Sequence, residues 1–239
     1  MRYAILAALA ATLGSAASAH ATQFVVNGDF TELSAGPGEI DVDTTVTGWS
    51  GNGGYNFVFA NANDSTGTAS PISLWTGTNG GAVSNTWNGL TASGAGNFAA
   101  MDGDYITEPL TQTITGLTVG DQETITFYYA GAQQDGFTGA TTEGLTVSFG
   151  NDSDPLTTLD NVSHGFTGWQ EASVTFTASS TSEVLSFLAN GTPNGEPPMT
   201  LLDGVSISQS PVPEPGTLTL LGTGILGLGG MVRRRFLKA

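Results

Sequence analysis

Two kinds of residue in this chain can do chemistry: carboxylates with no cations beside them, and a few aromatic rings set among Gly, Asn and Thr. Trp75 and Trp87 flank the segment 77–85, which is built of such small polar residues, and Tyr105 follows. A pyranose stacks on a ring face and hydrogen-bonds to the groups around it, so Trp75, Trp87 and Tyr105 are the candidate ligand-binding residues. Burial of both tryptophans under a long loop is the competing reading. Asp102-Gly103-Asp104 and Asp152-Ser153-Asp154 have the look of calcium-loop fragments, but neither reaches the distal Glu of an EF-hand, and both read as turns. His20 lies near the N-terminus, which leaves His164 as the one imidazole of the central region, in a Ser/Gly turn and with no G-x-S-x-G motif anywhere. Carboxylate pairs for glycoside hydrolysis are available in any chain this acidic and carry no specificity. No catalytic residue is expected, and the chain reads as a non-enzyme.

Charge narrows the partners. The chain of 239 residues has net charge −16, and its five basic residues are Arg2, Arg233, Arg234, Arg235 and Lys238. From residue 3 to 232 there is no Lys or Arg, while every Asp and Glu lies in that stretch. Such a polyanion cannot neutralise phosphates, so nucleic acid is excluded as a partner, and anionic membrane surfaces repel it. Divalent cations are its natural counter-ions; solubility alone is the plainer reading. With no cysteine, disulfides and thiolate zinc sites are absent, and stability must come from a hydrophobic core.

The two ends look like addresses. Met1-Arg2, an apolar run over 3–13 and a small-residue stretch make a secretory signal peptide at 1–21, with cleavage by signal peptidase expected after Ala21 or, alternatively, after Ala19. A retained anchor is the other reading. At the far end, Val212, Pro213, Glu214 and Pro215 precede an apolar run at 217–232 and then the cluster Arg233, Arg234, Arg235. The prolines keep the motif extended, and the arginines act as a membrane stop. This three-part tail, 211–239, resembles the PEP-CTERM sorting signal of Gram-negative bacteria. The resemblance implies recognition by an exosortase, and attachment to the membrane before the tail is processed. As a helix, 217–232 rises only about 24 Å against a hydrocarbon core of about 30 Å. A transient hold is expected rather than a permanent anchor. Gly222-Thr223-Gly224-Ile225-Leu226-Gly227 fits a dinucleotide fingerprint, but it lies in this apolar run with no βαβ unit around it.

Positioning of the candidate residues falls to the region between, 22–210, a normal size for one domain. Short apolar alternations separated by Gly, Asn, Thr and Asp predict an all-β sandwich or barrel with no convincing amphipathic helix. Strands are expected at 23–30, 97–101, 110–115, 123–130, around 145–149, and at 169–178, 184–189 and 199–208. Asn151 to Pro155 reads as a turn cluster. Asp203 has the parity of Leu201, Val205 and Ile207 and is expected to point inward, where a carboxylate without a partner is costly. A bulge at Gly204 that turns it outward, or hydrogen bonds from backbone N–H groups alone, are the other readings.

The order of motifs along this region resembles galactose-binding-like jelly rolls, a group with many carbohydrate-binding modules. The motifs are Asn27-Gly28-Asp29-Phe30, Gly48-Trp49, the strand from Leu110 to Gly116-Leu117, Gly168-Trp169, and Leu201-Leu202-Asp203-Gly204-Val205-Ser206-Ile207. The resemblance implies a jelly-roll β-sandwich with Trp49 and Trp169 as packing residues. It also implies a structural Ca²⁺ between first and last strands, with Asp203 as a ligand. Asn27, Asp29 or Glu32, with backbone carbonyls, would complete the shell. The expectation is an exported, non-catalytic surface or extracellular-matrix protein of a Gram-negative biofilm, binding exopolysaccharide. The alternatives are a purely structural surface protein and a secreted hydrolase.

Overall fold

The computed structural model describes residues 24–60, 68–69, 72–75 and 97–210. Among these residues there are thirteen strands and no helix. In chain order they are β1 (Gly38–Glu39), β2 (Asn56–Ala60), β3 (Thr68–Ala69), β4 (Ile72–Ser73), β5 (Asn97–Asp102), β6 (Leu110–Thr115), β7 (Gln122–Gln133), β8 (Thr141–Phe149), β9 (Asp152–Pro155), β10 (Leu159–Asn161), β11 (Gln170–Thr177), β12 (Ser182–Thr192) and β13 (Pro198–Ser210). They form an all-β sandwich. One sheet has the order β1-β2-β5-β13-β7-β11 and the other β10-β8-β12-β6, with β9 paired to β8; β3 and β4 make a separate hairpin.

Alternation explains the inner faces. Leu110, Gln112 and Ile114 on β6 are buried, as are Ile125 and Phe127 on β7, Val147 and Phe149 on β8, and Leu185 and Phe187 on β12. A period of two sends such residues to one face. Phe187 lies at the centre, edge-on to Phe127 at 5.1 Å and tilted against Trp49 at 6.1 Å. Each large side chain buried there contributes about 1.5–3 kcal/mol.

The larger sheet is buried on both faces at β2, β5, the end of β7 and the start of β13, which the reading of one inward face per strand did not anticipate. Val58, Ala99 and Leu202 join the core between the sheets. Their neighbours Phe57, Phe59, Phe98, Ala100 and Leu201 form a second cluster on the opposite face, with Ile72, Leu74 and Phe166. This accounts for the continuous apolar and small runs in β5 and at the start of β13, since a strand covered on both sides shows no alternation.

Three expectations need correction. Residues 24–30 are not a strand. Val26 exchanges both backbone bonds with the side chain of Gln112, at 2.8 Å each way, so no sheet ladder forms there. Asn27 and Phe30 both have φ of 53°, which breaks extended backbone. The segment is a strap laid over the edge of the sandwich, and Trp49 Nε1 donates to the carbonyls of Val26 and Asn27. Residues 152–155 are the edge strand β9, not a turn; all four are exposed, so pairing there left no hydrophobic signal. Finally, β13 carries a bulge. Asp203 lies opposite Tyr128 and Ser206 opposite Thr126, so two residues face one, and Gly204 takes φ of 61°. The bulge shifts the phase of the strand. Val205 and Ile207 face the core with Leu202, whereas Asp203 keeps the opposite face with Leu201.

Candidate functional site

Two clefts gather the candidate residues. The first lies where the strap meets the bulge. Asn27, Asp29, Thr31 and Glu32 line it together with Gly204 and Val205, and its volume is about 410 Å³. Asn27 holds the strap closed: its Oδ1 accepts the N–H of Glu32 at 2.9 Å, and its Nδ2 donates to the carbonyls of Glu32 and Thr47. Its Oδ1 accepts that one bond and keeps a second lone pair, so Asn27 stays a candidate ligand beside its structural role. Asp29 Oδ1 accepts from Thr31 Oγ1 at 3.0 Å. Asp203 is fully buried, as the sequence implied, but on the face opposite Val205 and Ile207. Its Oδ1 accepts the N–H of Gly204 at 2.6 Å, and its Oδ2 is buried with no hydrogen-bond partner. Burial pushes its carboxyl up to about 8; the Gly204 bond opposes that rise, and the charge of Asp29 adds to it.

A cation would relieve both strains at once, the orphaned Oδ2 and the repulsion between Asp29 and Asp203. All the donors are oxygens, which suits a hard cation. Among the described residues no group of three His, Cys, Asp or Glu side chains converges on a metal position. A Ca²⁺ here would therefore rest on two carboxylates and backbone carbonyls.

The second cleft, about 420 Å³, lies at the end of β5. Tyr55, Tyr105 and Phe137 give it apolar walls, and Asp102, Asp104 and Gln134 its polar groups. Tyr105 is 71% exposed and packs edge-to-face against Tyr55 at 5.7 Å. Asp102 closes β5 and receives the N–H groups of Asp104 and Tyr105 on Oδ1, at 2.7 and 3.1 Å. The turn reading of 102–104 is thus correct, and the turn is what presents Tyr105. Asp104 Oδ2 accepts the N–H of Gly195 at 2.8 Å and ties this turn to the loop before β13.

Trp75 stands behind the cleft rather than in it. Its Nε1 donates to the carbonyl of Phe137 at 2.8 Å, and its ring lies over His164 with centroids 3.9 Å apart. It is a strut for the loop that carries Phe137. Trp87 lies outside the described residues. Trp49 is a core residue, while Trp169 packs against the second cluster. His164 Nε2 is buried and makes no hydrogen bond among the described residues. Sequence reading missed Asp102 and Gln134 as cleft residues. The signal for Asp102 was its phase with Phe98 and Ala100, which places a carboxylate on a buried face.

Residues 211–235 match the PEP-CTERM protein-sorting motif. The match includes Val212, Pro213, Glu214, Pro215 and the three arginines, all outside the described residues, as are the helices expected at 1–21 and 217–232. The tail marks the chain as an exported protein sorted to the cell envelope or extracellular space, and it implies processing by an exosortase. No curated protein matches the chain. Similar solved structures include TmCBM61 in complex with β-1,4-galactotriose, at 12% identity over 79% of this chain and 99% of that one, TM-score 0.39. The CBM22-1 xylan-binding domain of Paenibacillus barcinonensis Xyn10C is similar at 9% identity over 82% and 100%, TM-score 0.37. A CBM4 structure follows at 16% identity over 77% and 99%, TM-score 0.34. All three are carbohydrate-binding modules.

Proposed function

We propose that the protein is a non-catalytic surface or extracellular-matrix component that binds exopolysaccharide through the tyrosine cleft, on a jelly-roll sandwich. The observation that carries this reading is the exposed ring of Tyr105 beside the buried carboxylate of Asp102, in a chain with an export signal. An exposed aromatic face with converging polar groups is what a sugar ring requires. Tyr105→Ala removes the platform and leaves the strands untouched. Its affinity for the bound glycan falls roughly tenfold in a pull-down or titration, about 1.4 kcal/mol. Unchanged affinity, or no glycan binding by the native chain, favours the purely structural reading.

A calcium ion held by Asp203, Asp29 and nearby carbonyls is the second part of the proposal, supported by the orphaned Asp203 Oδ2. Glu32 lines the same cleft and is the further candidate ligand. Bound calcium would supply charge neutralisation there and fasten the strap to β13. Calcium at a hundred times its dissociation constant stabilises by about 2.7 kcal/mol, which raises the melting temperature by roughly 5–10 °C for a domain of this size. Asp203→Asn abolishes that rise. Equal midpoints in calcium and in chelator would sink the idea.

A further inference from the structure

The tyrosine cleft carries more information than a general sugar site. Asp102 is 1% exposed, and its Oδ2 has no hydrogen-bond partner although the residue lines the cleft. Asp104 lines the same cleft, so two carboxylates face one space. The chain has no Lys or Arg between residues 3 and 232 to neutralise them. The rings of Tyr55, Tyr105 and Phe137 form its apolar walls, and Gln134, Gly195 and Pro197 complete the lining.

We propose that this cleft binds an amino sugar bearing a free ammonium group, as a unit of a cationic, N-deacetylated polysaccharide. This rests on the reading of the cleft as the glycan site and specifies the glycan's class. An ammonium offers three donors and a positive charge. It satisfies Asp102 Oδ2, offsets the charge of Asp104 and is attracted by tyrosine faces, which take cations within about 6 Å of the ring centre. A uronic or sulfated glycan is repelled by both carboxylates. A neutral sugar can donate a hydroxyl to Asp102 but leaves the charge standing. A divalent cation wants about six to eight oxygens, and besides the tyrosine hydroxyls the side-chain oxygens of this cleft come only from Asp102, Asp104 and Gln134. Burial raises the Asp102 carboxyl above its ordinary range, opposed by the two backbone N–H bonds, and the Asp104 charge adds to the rise. An ammonium bound there restores the ionised form.

The test uses the full chain in buffer of physiological salt. It titrates three hexasaccharides: one of glucosamine, one of N-acetylglucosamine and one of neutral glucose. The glucosamine oligomer binds at least tenfold tighter than the other two. Asp104→Asn, which leaves the buried Asp102 untouched, weakens it at least fivefold, and Asp102→Asn at least tenfold. The double variant Asp152→Asn/Asp154→Asn removes two charges on the exposed edge strand β9, away from the cleft, and changes affinity less than twofold. Equal losses in that control mean general attraction of a polyanion for a polycation and overturn the proposal. Equal binding of the neutral oligomer overturns the ammonium preference while leaving the glycan site standing. If none of the three binds, and Tyr105→Ala also leaves the pull-down unchanged, both readings fall.

Discussion

The Glu143→Gln variant unfolds at a higher urea concentration than the native chain at pH 8 and at nearly the same concentration at pH 4. Glu143 lies on β8 and is fully buried. Its Oε1 accepts from Thr141 Oγ1 at 2.5 Å and more distantly from Asn161 Nδ2 at 3.5 Å, while Oε2 has no partner and lies against the backbone of Gly131. Burial pushes the carboxyl from 4.5 up to about 8; the two hydrogen bonds oppose this, and the charge of Asp160 adds to it. The sign follows from proton counting. Between pH 4.5 and 8 the folded chain holds the Glu143 proton and the unfolded chain releases it, so stability falls as pH rises through that window. Each pH unit of difference is worth about 1.4 kcal/mol, so the contribution lost by pH 8 is on the order of 3–5 kcal/mol. With urea slopes of about 1–3 kcal/mol per molar, the midpoints separate by about 1–5 M. Self-repulsion of a chain with net charge −16 acts in the same direction, which is why the comparison is between variants and not between pH values alone. Parallel pH profiles for the two proteins would mean that Glu143 ionises in the folded chain as it does in the unfolded one.

Glu143 also shows what the sequence could and could not convey. The period-two rule located the ladder strands well. The expected 110–115 matches β6, and the expected strands at 123–130, 169–178, 184–189 and 199–208 each fall on a real strand, some of them longer. The same rule, applied to carboxylates, places Glu123 in phase with Ile125 and Phe127, Glu143 with Leu145 and Val147, and Glu183 with Leu185 and Phe187. All three are buried. Glu183 is supplied with donors by the turn beside it, from Ser179 N and Oγ and Ser180 N. Glu143 is not so supplied, and nothing in residue order distinguishes the two cases. The strap at 24–30 was misread because its apolar residues, Val25 and Phe30, are buried as strand residues would be, while its backbone bonds go to a glutamine side chain far along the chain. The bulge was legible only as an alternative, since Gly204 permits a positive φ but does not require one. Of the candidate site, Asp29 and Glu32 do meet Gly204 at one cleft, and Tyr105 does line another. Trp75 is held at both ends, by its N–H on the carbonyl of Phe137 and by its ring over His164, and neither contact is visible in residue order.

The second large effect is steric. Gly28→Ala lowers the melting temperature by roughly 6–12 °C, because a β-carbon at that position runs into the carbonyl oxygen of Val205. The neighbouring contacts leave no route for relief. Val205 N–H donates to the Gly28 carbonyl at 2.9 Å, Asn97 N–H to the Asp29 carbonyl at 3.2 Å, and Asn97 Nδ2 to the Phe30 carbonyl at 2.8 Å. Beyond these, Phe30 is buried against Trp49 with ring centroids 5.3 Å apart. The obstacle is backbone on both sides, so no rotamer change makes room. Forcing the extra carbon in breaks the strap from the bulge or strains both, at a cost of about 3 kcal/mol. Gly36 is the matched control, since a β-carbon there meets nothing within 4 Å, and Gly36→Ala shifts stability by no more than about 0.5 kcal/mol. The same displacement separates Asp29 from Asp203, so any stabilisation by calcium disappears in Gly28→Ala and survives in Gly36→Ala. A Gly28→Ala melt within 2 °C or so of the native one would show that strap and bulge do not meet as described. A calcium response retained despite a large drop in stability would instead place the ion somewhere other than between them.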